Sequence, residues 1–302
     1  MIRTPMFACL CGLVALPMAA VGGDASVTVK DAGAEPREVL RYVIEAGQTE
    51  TITIDTAINM EMSMAGQGMP AMDLPTSRMT LESVVEEGAD GGYTVSSTIT
   101  DARVAGDVAN MMPMIVDAMR ESFRGLAGTT FSLSMTDRGE MSAMGEAQLP
   151  AGASPEAIQA AESGMAALQG TGLILPEEAV GVGAVWVTSV SQALNGIEQN
   201  IETTYTLVER AGDVLTIGIV QSIGAEPGPL ELAEVPPGMS AELIELVGAG
   251  TGTVEYSLGR ATPASIAMAS NVAVKMEMSG MGMDQRMEQK IKTVMSTPKG
   301  DD

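Results

Sequence analysis

The chain has 302 residues, of which 45% are hydrophobic and 18% are charged, a composition typical of a folded rather than a disordered protein. Aspartate and glutamate number 39 against 16 lysines and arginines, and the resulting net charge of −23 disfavours binding to nucleic acid or to anionic membranes. The sequence contains no histidine, which removes the commonest general base and the commonest metal ligand.

Residues 1–25 have the pattern of a secretory signal peptide. An apolar run over residues 6–16 is too short for a membrane span, and the small residues that follow fit cleavage after Gly22 or after Ala25. We therefore expect an exported protein, periplasmic or extracellular, with no transmembrane segment in the mature chain.

Both cysteines, Cys9 and Cys11, lie inside this segment. The mature chain is therefore expected to have neither a disulfide nor a thiolate nucleophile. Residues 26–38 are polar and irregular and predict a flexible lead-in, and residues 298–302 predict a disordered tail. The folded part is expected to span residues 39–297.

Alternation of apolar and polar residues dominates the chain after residue 39, as in half-buried β-strands. It is clearest over residues 51–64 and 272–279. Glycine and aspartate in short connections predict two hairpins, at 79–86 with 92–100 and at 201–209 with 214–223.

Three segments predict helices. Asn110 is a candidate N-cap for a helix that ends at Gly125, Ser154 begins a second helix over residues 154–169, and Ser240 begins a short third one. In the third, the apolar residues recur at helical spacing, at Leu243, Ile244 and Val247.

Each predicted hairpin is followed by a predicted helix and then by a Gly-Thr segment, at Gly128 and at Gly252. We interpret this repeated order as an internal duplication. The sequence thus predicts an α+β, mostly β fold: a pseudo-duplicated antiparallel curved sheet, half-barrel-like, with two or three short helices. Its halves, residues 39–150 and 171–297, would be joined by a helical linker at 154–169. The alternative is two domains divided near residue 150.

Three loose motifs suggest a family. Leu-Pro and Val-Gly-Val-Gly precede Trp186 within residues 175–186, Gly-Thr-Gly-Thr occupies residues 250–253, and a closing segment carries Gln-Arg-Met-Glu-Gln at 285–289. Over about residues 40–297, the chain resembles the DUF6263-type family of exported bacterial proteins of unknown function. Many similar proteins look like lipoproteins, whereas this sequence lacks a lipobox. The resemblance implies export and brings no activity and no catalytic residue.

Methionine is frequent, with 25 residues, and it forms clusters at Met60, Met62 and Met64 and at Met276 and Met278. On a strand, Met-x-Met places both thioethers on one face, about 7 Å apart, where they can hold a soft ion such as Cu(I). The same flexible side chains can line a concavity for an acyl chain or fill a closed apolar core. The sequence allows all three interpretations of the methionines: ligands of Cu(I), the lining of a concavity, and the filling of a closed core.

Catalytic patterns are missing from the sequence. Without histidine a Ser–His pair cannot form, and carboxylates such as Glu177 and Glu178 fall in predicted turns. Trp186, the single tryptophan, is either a core anchor or a stacking surface for a ligand. We therefore predict a protein that is not an enzyme and has no cofactor.

Three functions of different classes follow from these patterns. The first is binding of an apolar ligand or lipid in the concavity of the sheet. The second is a structural or interaction role with proteins of the cell envelope, without a small ligand. The third is Cu(I) binding through methionine. The candidate ligand-binding residues are Met60, Met62, Met64, Trp186, Met276 and Met278.

Overall fold

The fold is one antiparallel sheet with very little helix. The structure is a computed structural model that describes residues 26–88, 91–109, 111–142, 148, 150, 172–194, 197–230, 239–280 and 283–298. Among the described residues, 64% lie in strands and 5% in helix, and the strands form a single 14-stranded open sheet.

The strands follow one another across the sheet in an order that differs from their order in the chain. The elements are β1 (Ser26–Asp31), β2 (Thr49–Met64), β3 (Gln67–Gly68), β4 (Met72–Asp73), β5 (Thr76–Glu87), β6 (Tyr93–Ala105), α1 (Pro113–Phe123), β7 (Thr130–Met135), β8 (Val185–Leu194), β9 (Ile197–Ala211), β10 (Val214–Ala225), β11 (Gly228–Leu230), β12 (Met239–Ser257), β13 (Ser265–Gly280) and β14 (Met283–Ser296). Hydrogen-bonded neighbours run β1-β8-β9-β10-β12-β13-β14-β2-β5-β6-β7, with β11 on β12 and with β3 and β4 on β2.

Period-two alternation sets the two faces of this sheet. In β9, every second residue from Ile197 to Leu207 is buried, and the residues between them are exposed or half-buried. The two predicted hairpins are confirmed as β5–β6 and β9–β10. The buried side of each strand forms what we call the inner face, and the other side forms the outer face.

The predicted α+β class with two or three helices is wrong. Among the described residues α1 is the only α-helix, and it begins at Pro113 after Met112. The predicted cap Asn110 and the predicted helix over residues 154–169 lie outside the described residues. The predicted third helix, from Ser240, is part of β12.

A β-bulge explains why the start of β12 reads as a helix. The register between β12 and β13 shifts between Leu243 and Glu245, so Leu243 and Leu246 are both buried although three positions separate them. Buried residues three positions apart are also typical of one face of a helix, so this segment has a helix-like pattern.

The N-terminal end of the described chain is also more regular than predicted. Ser26–Asp31, within the predicted flexible lead-in, forms β1 and pairs with β8, with Val29 opposite Trp186. The apolar side chains of Val27 and Val29 pack against the core, which explains the order of this segment. Residues 1–25, the predicted signal peptide, and 299–302, most of the predicted tail, lie outside the described residues.

Residues 172–175 connect the two ends of the sheet. The Leu175 amide donates to the carbonyl oxygen of Arg138, just after β7, at 2.8 Å, and Trp186 Nε1 on β8 donates to the Ile174 carbonyl oxygen at 2.9 Å. In the strand order, β7 and β8 would lie about 43 Å apart if the sheet were flat. The sheet must therefore curve around its inner face.

The inner face carries two clusters of buried apolar side chains. The first, the Trp cluster, contains Trp186, Tyr205 and Phe131 and packs around Leu173 and Leu175. The second, the Met cluster, lies towards the other ends of the long strands. It includes Met60, Met62, Ile201, Leu243, Val274, Met276 and Met287.

Glu50 is a buried carboxylate that holds the turn between β12 and β13 against the start of β2. It is 3% exposed. Its Oε1 accepts a hydrogen bond from the Ala261 amide at 2.9 Å, and its Oε2 accepts from the Thr262 amide at 2.8 Å and from Thr262 Oγ1 at 2.6 Å. These charge-assisted bonds offset the desolvation of the carboxylate and join distant parts of the chain.

We predict that Glu50→Gln lowers the free energy of unfolding by about 2–4 kcal/mol, because the amide presents an N–H group to donors that need an acceptor. Chemical denaturation measures the change. Glu82→Gln, at an exposed position of β5, is the control and should change stability by less than about 0.5 kcal/mol. Equal effects of the two variants would contradict the assigned role.

Candidate functional site

The structure brings the two methionine clusters of the sequence together. β14 lies between β2 and β13, and its Met287 pairs with Met276 on one side and with Met64 on the other. Side chains of such neighbours lie on one face with their Cβ atoms about 5 Å apart. Met287 was not among the predicted site residues, although the alternation along 285–295 could have placed it on the inner face.

The other predicted methionines flank this row. Met60 and Met62 are 4% and 9% exposed on the inner face of β2, and the partly buried Met278 packs against the same cluster. Apart from Leu74, which follows β4, the described members of the Met cluster all lie on strands of the sheet. The apolar surface is therefore made by the sheet itself.

Trp186 lies apart from the methionines, in the Trp cluster. It is fully buried, and its ring stacks on Tyr205 with centroids 5.7 Å apart. Its indole N–H donates to the Ile174 carbonyl oxygen. With its polar atom paired and its faces packed, Trp186 fits the interpretation as a core anchor.

Buried tyrosines fix the same segment, residues 172–175. The Tyr205 hydroxyl donates to the Gly172 carbonyl oxygen, and the Tyr42 hydroxyl donates to the Leu173 carbonyl oxygen, both at 3.3 Å. Burial raises the pKa of Tyr205 to about 12, although hydrogen bonds with Thr188 and Thr203 oppose the shift. Burial also raises the pKa of Tyr42 and of Tyr256 well above the ordinary value.

These shifts predict loss of stability in alkali. Below pH 10 these three tyrosines are neutral in the folded and in the unfolded protein, so they leave the free energy of unfolding unchanged. As the pH rises above this value, only the unfolded state ionises, and stability falls by up to about 1.4 kcal/mol per pH unit for each tyrosine. Denaturation at several pH values measures the slope, and Tyr205→Phe should make it shallower. Tyrosinate absorbance from Tyr205 in the folded protein near pH 10 would contradict the prediction.

A row of residues with polar side chains, interrupted by Gly250, crosses the inner face between the two apolar clusters. Its members are neighbours on successive strands, and we call it the polar row: Thr188, Thr203, Gln221, Gly250, Ser270 and Thr293. On the β8–β10 side the row is hydrogen-bonded internally, because Gln221 Nε2 donates to Thr203 Oγ1 at 3.3 Å.

Two buried polar atoms on this face lack a partner. Thr293 Oγ1 and Gln199 Oε1 make no hydrogen bond, although the two residues are only 5% and 4% exposed. The buried amide of Gln289, by contrast, donates from Nε2 to Met60 Sδ at 3.1 Å. Each unpaired buried atom costs about 1–3 kcal/mol in a dry core. A polar group bound on this face would remove that cost.

The inner face is uncharged where the polar row and the Met cluster lie. Glu50 is the one charged residue among the buried residues that the structure describes, and its carboxylate is bonded to the turn at 261–262. Burying an ion here would leave it without a countercharge. The chemistry of this face therefore suits neutral molecules.

A small cavity lies elsewhere, beneath β2, β5, β6 and β7. It has a volume of about 70 Å³ and is lined by Ile52, Leu81, Phe131 and the paired hydroxyls of Ser83 and Ser97. Ligand sites for drug-sized molecules are typically about 300–1,000 Å³. This cavity is therefore too small for a lipid.

The outer face of the long strands is uncharged along two adjacent rows, despite the acidity of the chain. One row is Val187, Thr204, Val220, Thr251, Ala269, Val294 and Ala57. The other is Val185, Thr206, Gly218, Thr253, Ala267 and Ser296, and it is bounded by Asp31 on β1 and by Asp55 on β2. Val220 and Val294 are 58% and 51% exposed. A partner surface would meet least repulsion here.

No family model matches the chain, and no curated protein matches it significantly. Membership of the DUF6263-type family therefore stays a prediction.

Within the described residues, no three His, Cys, Asp or Glu side chains are grouped to hold a metal ion. Among these residues there is also no helix with the length and apolar character needed to cross a membrane.

Proposed function

We propose that the protein is an exported, non-enzymatic binding protein for an apolar ligand or lipid, which lies against the Met cluster on the inner face of the sheet. The observation that carries this proposal is the row of Met276, Met287 and Met64 on three adjacent strands, continuous with buried aliphatic side chains. Unpaired polar atoms on the same face support a bound molecule over a purely apolar filling.

Methionine suits this task better than a branched residue. Its unbranched side chain rotates about three bonds and carries a polarisable sulfur, so it adapts to chains of different length and saturation. Met60, Met62, Met276 and Met287 are all under 10% exposed, so a ligand that contacts them has to displace the side chains that now cover them, and it is then removed from water. Burial of a hydrocarbon chain then supplies about 0.8 kcal/mol per methylene.

Two isosteric changes on neighbouring residues of β13 test the proposal. Met276→Gln puts an amide into the Met cluster, whereas Glu277→Gln changes an exposed outer residue. We expect Met276→Gln to weaken binding of the fluorescent apolar probe N-phenyl-1-naphthylamine by about tenfold, because the amide loses hydration when the probe covers it. Glu277→Gln should bind like the unchanged protein.

Fluorescence titration, with circular dichroism to confirm folding, reads out both variants. Absence of probe binding to the unchanged protein would contradict the proposal. Equal loss of affinity in the two variants would also contradict it, because the outer face would then matter as much as the Met cluster.

A second candidate function is Cu(I) binding, favoured by the adjacency of Met276, Met287 and Met64. Thioethers are soft ligands that select Cu(I). Met287 lies between the other two, so the side chains can converge on an ion above it. Met60 fits less well, because Gln289 already donates a hydrogen bond to its sulfur.

Competition with a chromogenic Cu(I) chelator tests this candidate. Met287→Leu keeps the apolar volume but removes the central sulfur, and we expect Cu(I) affinity to fall by at least about tenfold. Met114→Leu, at a residue 83% exposed on α1, is the control and should leave affinity unchanged. Failure to take Cu(I) from the chelator, or equal affinities for the two variants, would exclude the candidate.

A further inference from the structure

We propose that two copies of this chain associate through the outer face of the sheet, with a two-fold axis that runs along β12. This inference is independent of what the inner face binds. The contact surface, which we call the outer strip, is the outer side of β10, β12 and β13. Its members include Val220, Val247, Ala249, Thr251, Ala269 and Asn271.

The outer strip is uncharged in a strongly acidic chain. From Val247 to Thr253, each outward residue of β12 and its neighbours on β10 and β13 are uncharged. Val220 and Val247 are 58% and 49% exposed, so the strip also presents apolar surface to water. Two chains that each carry a net charge of −23 repel least where neither surface is charged.

Two opposite charges flank the outer strip symmetrically. In the row of Ala249, Glu202 lies two strands away on β9, and Lys292 lies two strands away on the other side, on β14. A two-fold axis along β12 places Glu202 of each copy over Lys292 of the other, so one favourable contact occurs twice. This match is the reason for choosing a second copy as the partner.

Both flanking side chains are free to reach a second copy. Glu202 is exposed, and within the described part of the chain it makes no ion pair. Lys292 Nζ lies 3.7 Å from Glu61, but the lysine side chain is 59% exposed. An exposed pair of this kind contributes little to stability, so Lys292 can share or exchange its partner.

Side chains within the outer strip are also complementary under this axis. Val220 of one copy faces Ala269 of the other, so a branched side chain meets a methyl group. Ser222 faces Asn271, and these two side chains can exchange a hydrogen bond. Thr251 faces its own copy on the axis.

The curvature of the sheet limits the contact to the outer strip. The sheet curves around its inner face, so the outer face is convex and two copies touch along a band three to five strands wide. Along β12 the band ends at Glu245 and Glu255, where the two copies would repel each other. Four rows on five strands cover about 500 Å² per copy, less than the roughly 800 Å² of a standard interface. We therefore expect a weak dimer.

Sedimentation velocity over a concentration series tests the proposal. At an ionic strength of about 0.15 M, where surface charges are screened beyond about 8 Å, we expect a reversible dimer with a dissociation constant on the order of 10–100 µM. A monomer at every concentration up to about tenfold above this range overturns the proposal and leaves the outer face without a second copy as its partner.

Charge reversal locates the interface. Glu202→Lys and Lys292→Glu each place like charges at both contacts, and we expect each change to raise the dissociation constant at least about tenfold. Glu202→Lys also makes the chain less negative, so an effect of overall charge would act in the opposite direction. Glu86→Lys, the same charge change at an exposed residue of β5, is the control and should not weaken the dimer.

A mixture of the two variant chains gives the sharpest test. In a mixed dimer of Glu202→Lys with Lys292→Glu, opposite charges meet again at both contacts. We expect the equimolar mixture to dimerise at least about tenfold more tightly than either variant alone. If overall charge controls association, the mixture dimerises no more tightly than Glu202→Lys alone, and the proposal is overturned.

Thr251→Lys probes the axis, because it places two lysines against each other in the dimer. We expect it to abolish dimerisation, and circular dichroism confirms that the variant folds. A dimer that neither Thr251→Lys nor Glu202→Lys weakens uses another surface, and this overturns the proposal. Assemblies larger than a dimer also overturn it, because a two-fold contact closes on itself. If Thr251→Lys does not fold, the charge variants and their mixture decide.

Discussion

The rest of the structure depends on the contact that residues 172–175 make with both ends of the sheet. A single antiparallel layer with one apolar face cannot leave that face in water, so it must curve or acquire a cover. The backbone of this segment is held by Trp186 and Tyr205 from the β8–β9 side, and by Tyr42 and Arg138 from the β6–β7 side. Curvature therefore follows from a few hydrogen bonds to backbone carbonyl groups inside an apolar cluster.

The sequence predicts the strands well because burial on one side leaves a period of two, as in β2 and in the β9–β10 hairpin. It fails where another effect interrupts that period. The bulge at Leu243 shifts the inner face by one residue and produces a helix-like pattern in β12. β1 was missed because its order comes from pairing with β8, which lies far away in the chain. Local patterns carry no information on such pairings.

The candidate site was predictable only in part. Alternation placed Met60, Met62 and Met276 on one face of their strands, but the sequence could not show that β14 lies between β2 and β13 and adds Met287. The polar row was equally hidden, because its members come from different strands and each one alone is an ordinary Thr, Gln or Ser. The two faces of the sheet differ in chemistry: the inner face combines apolar side chains with neutral polar ones, and the outer face has two uncharged rows that suit a protein partner.

Native mass spectrometry of the protein, gently purified from the cells that make it, tests the central claim most directly. The account predicts a cleaved chain that carries a lipid-sized adduct, which is lost on unfolding and whose occupancy falls in the Met276→Gln variant. A bare chain would contradict the account and would favour a role based on the outer face and a protein partner. A copper-sized adduct would contradict it in favour of the methionine row as a metal site.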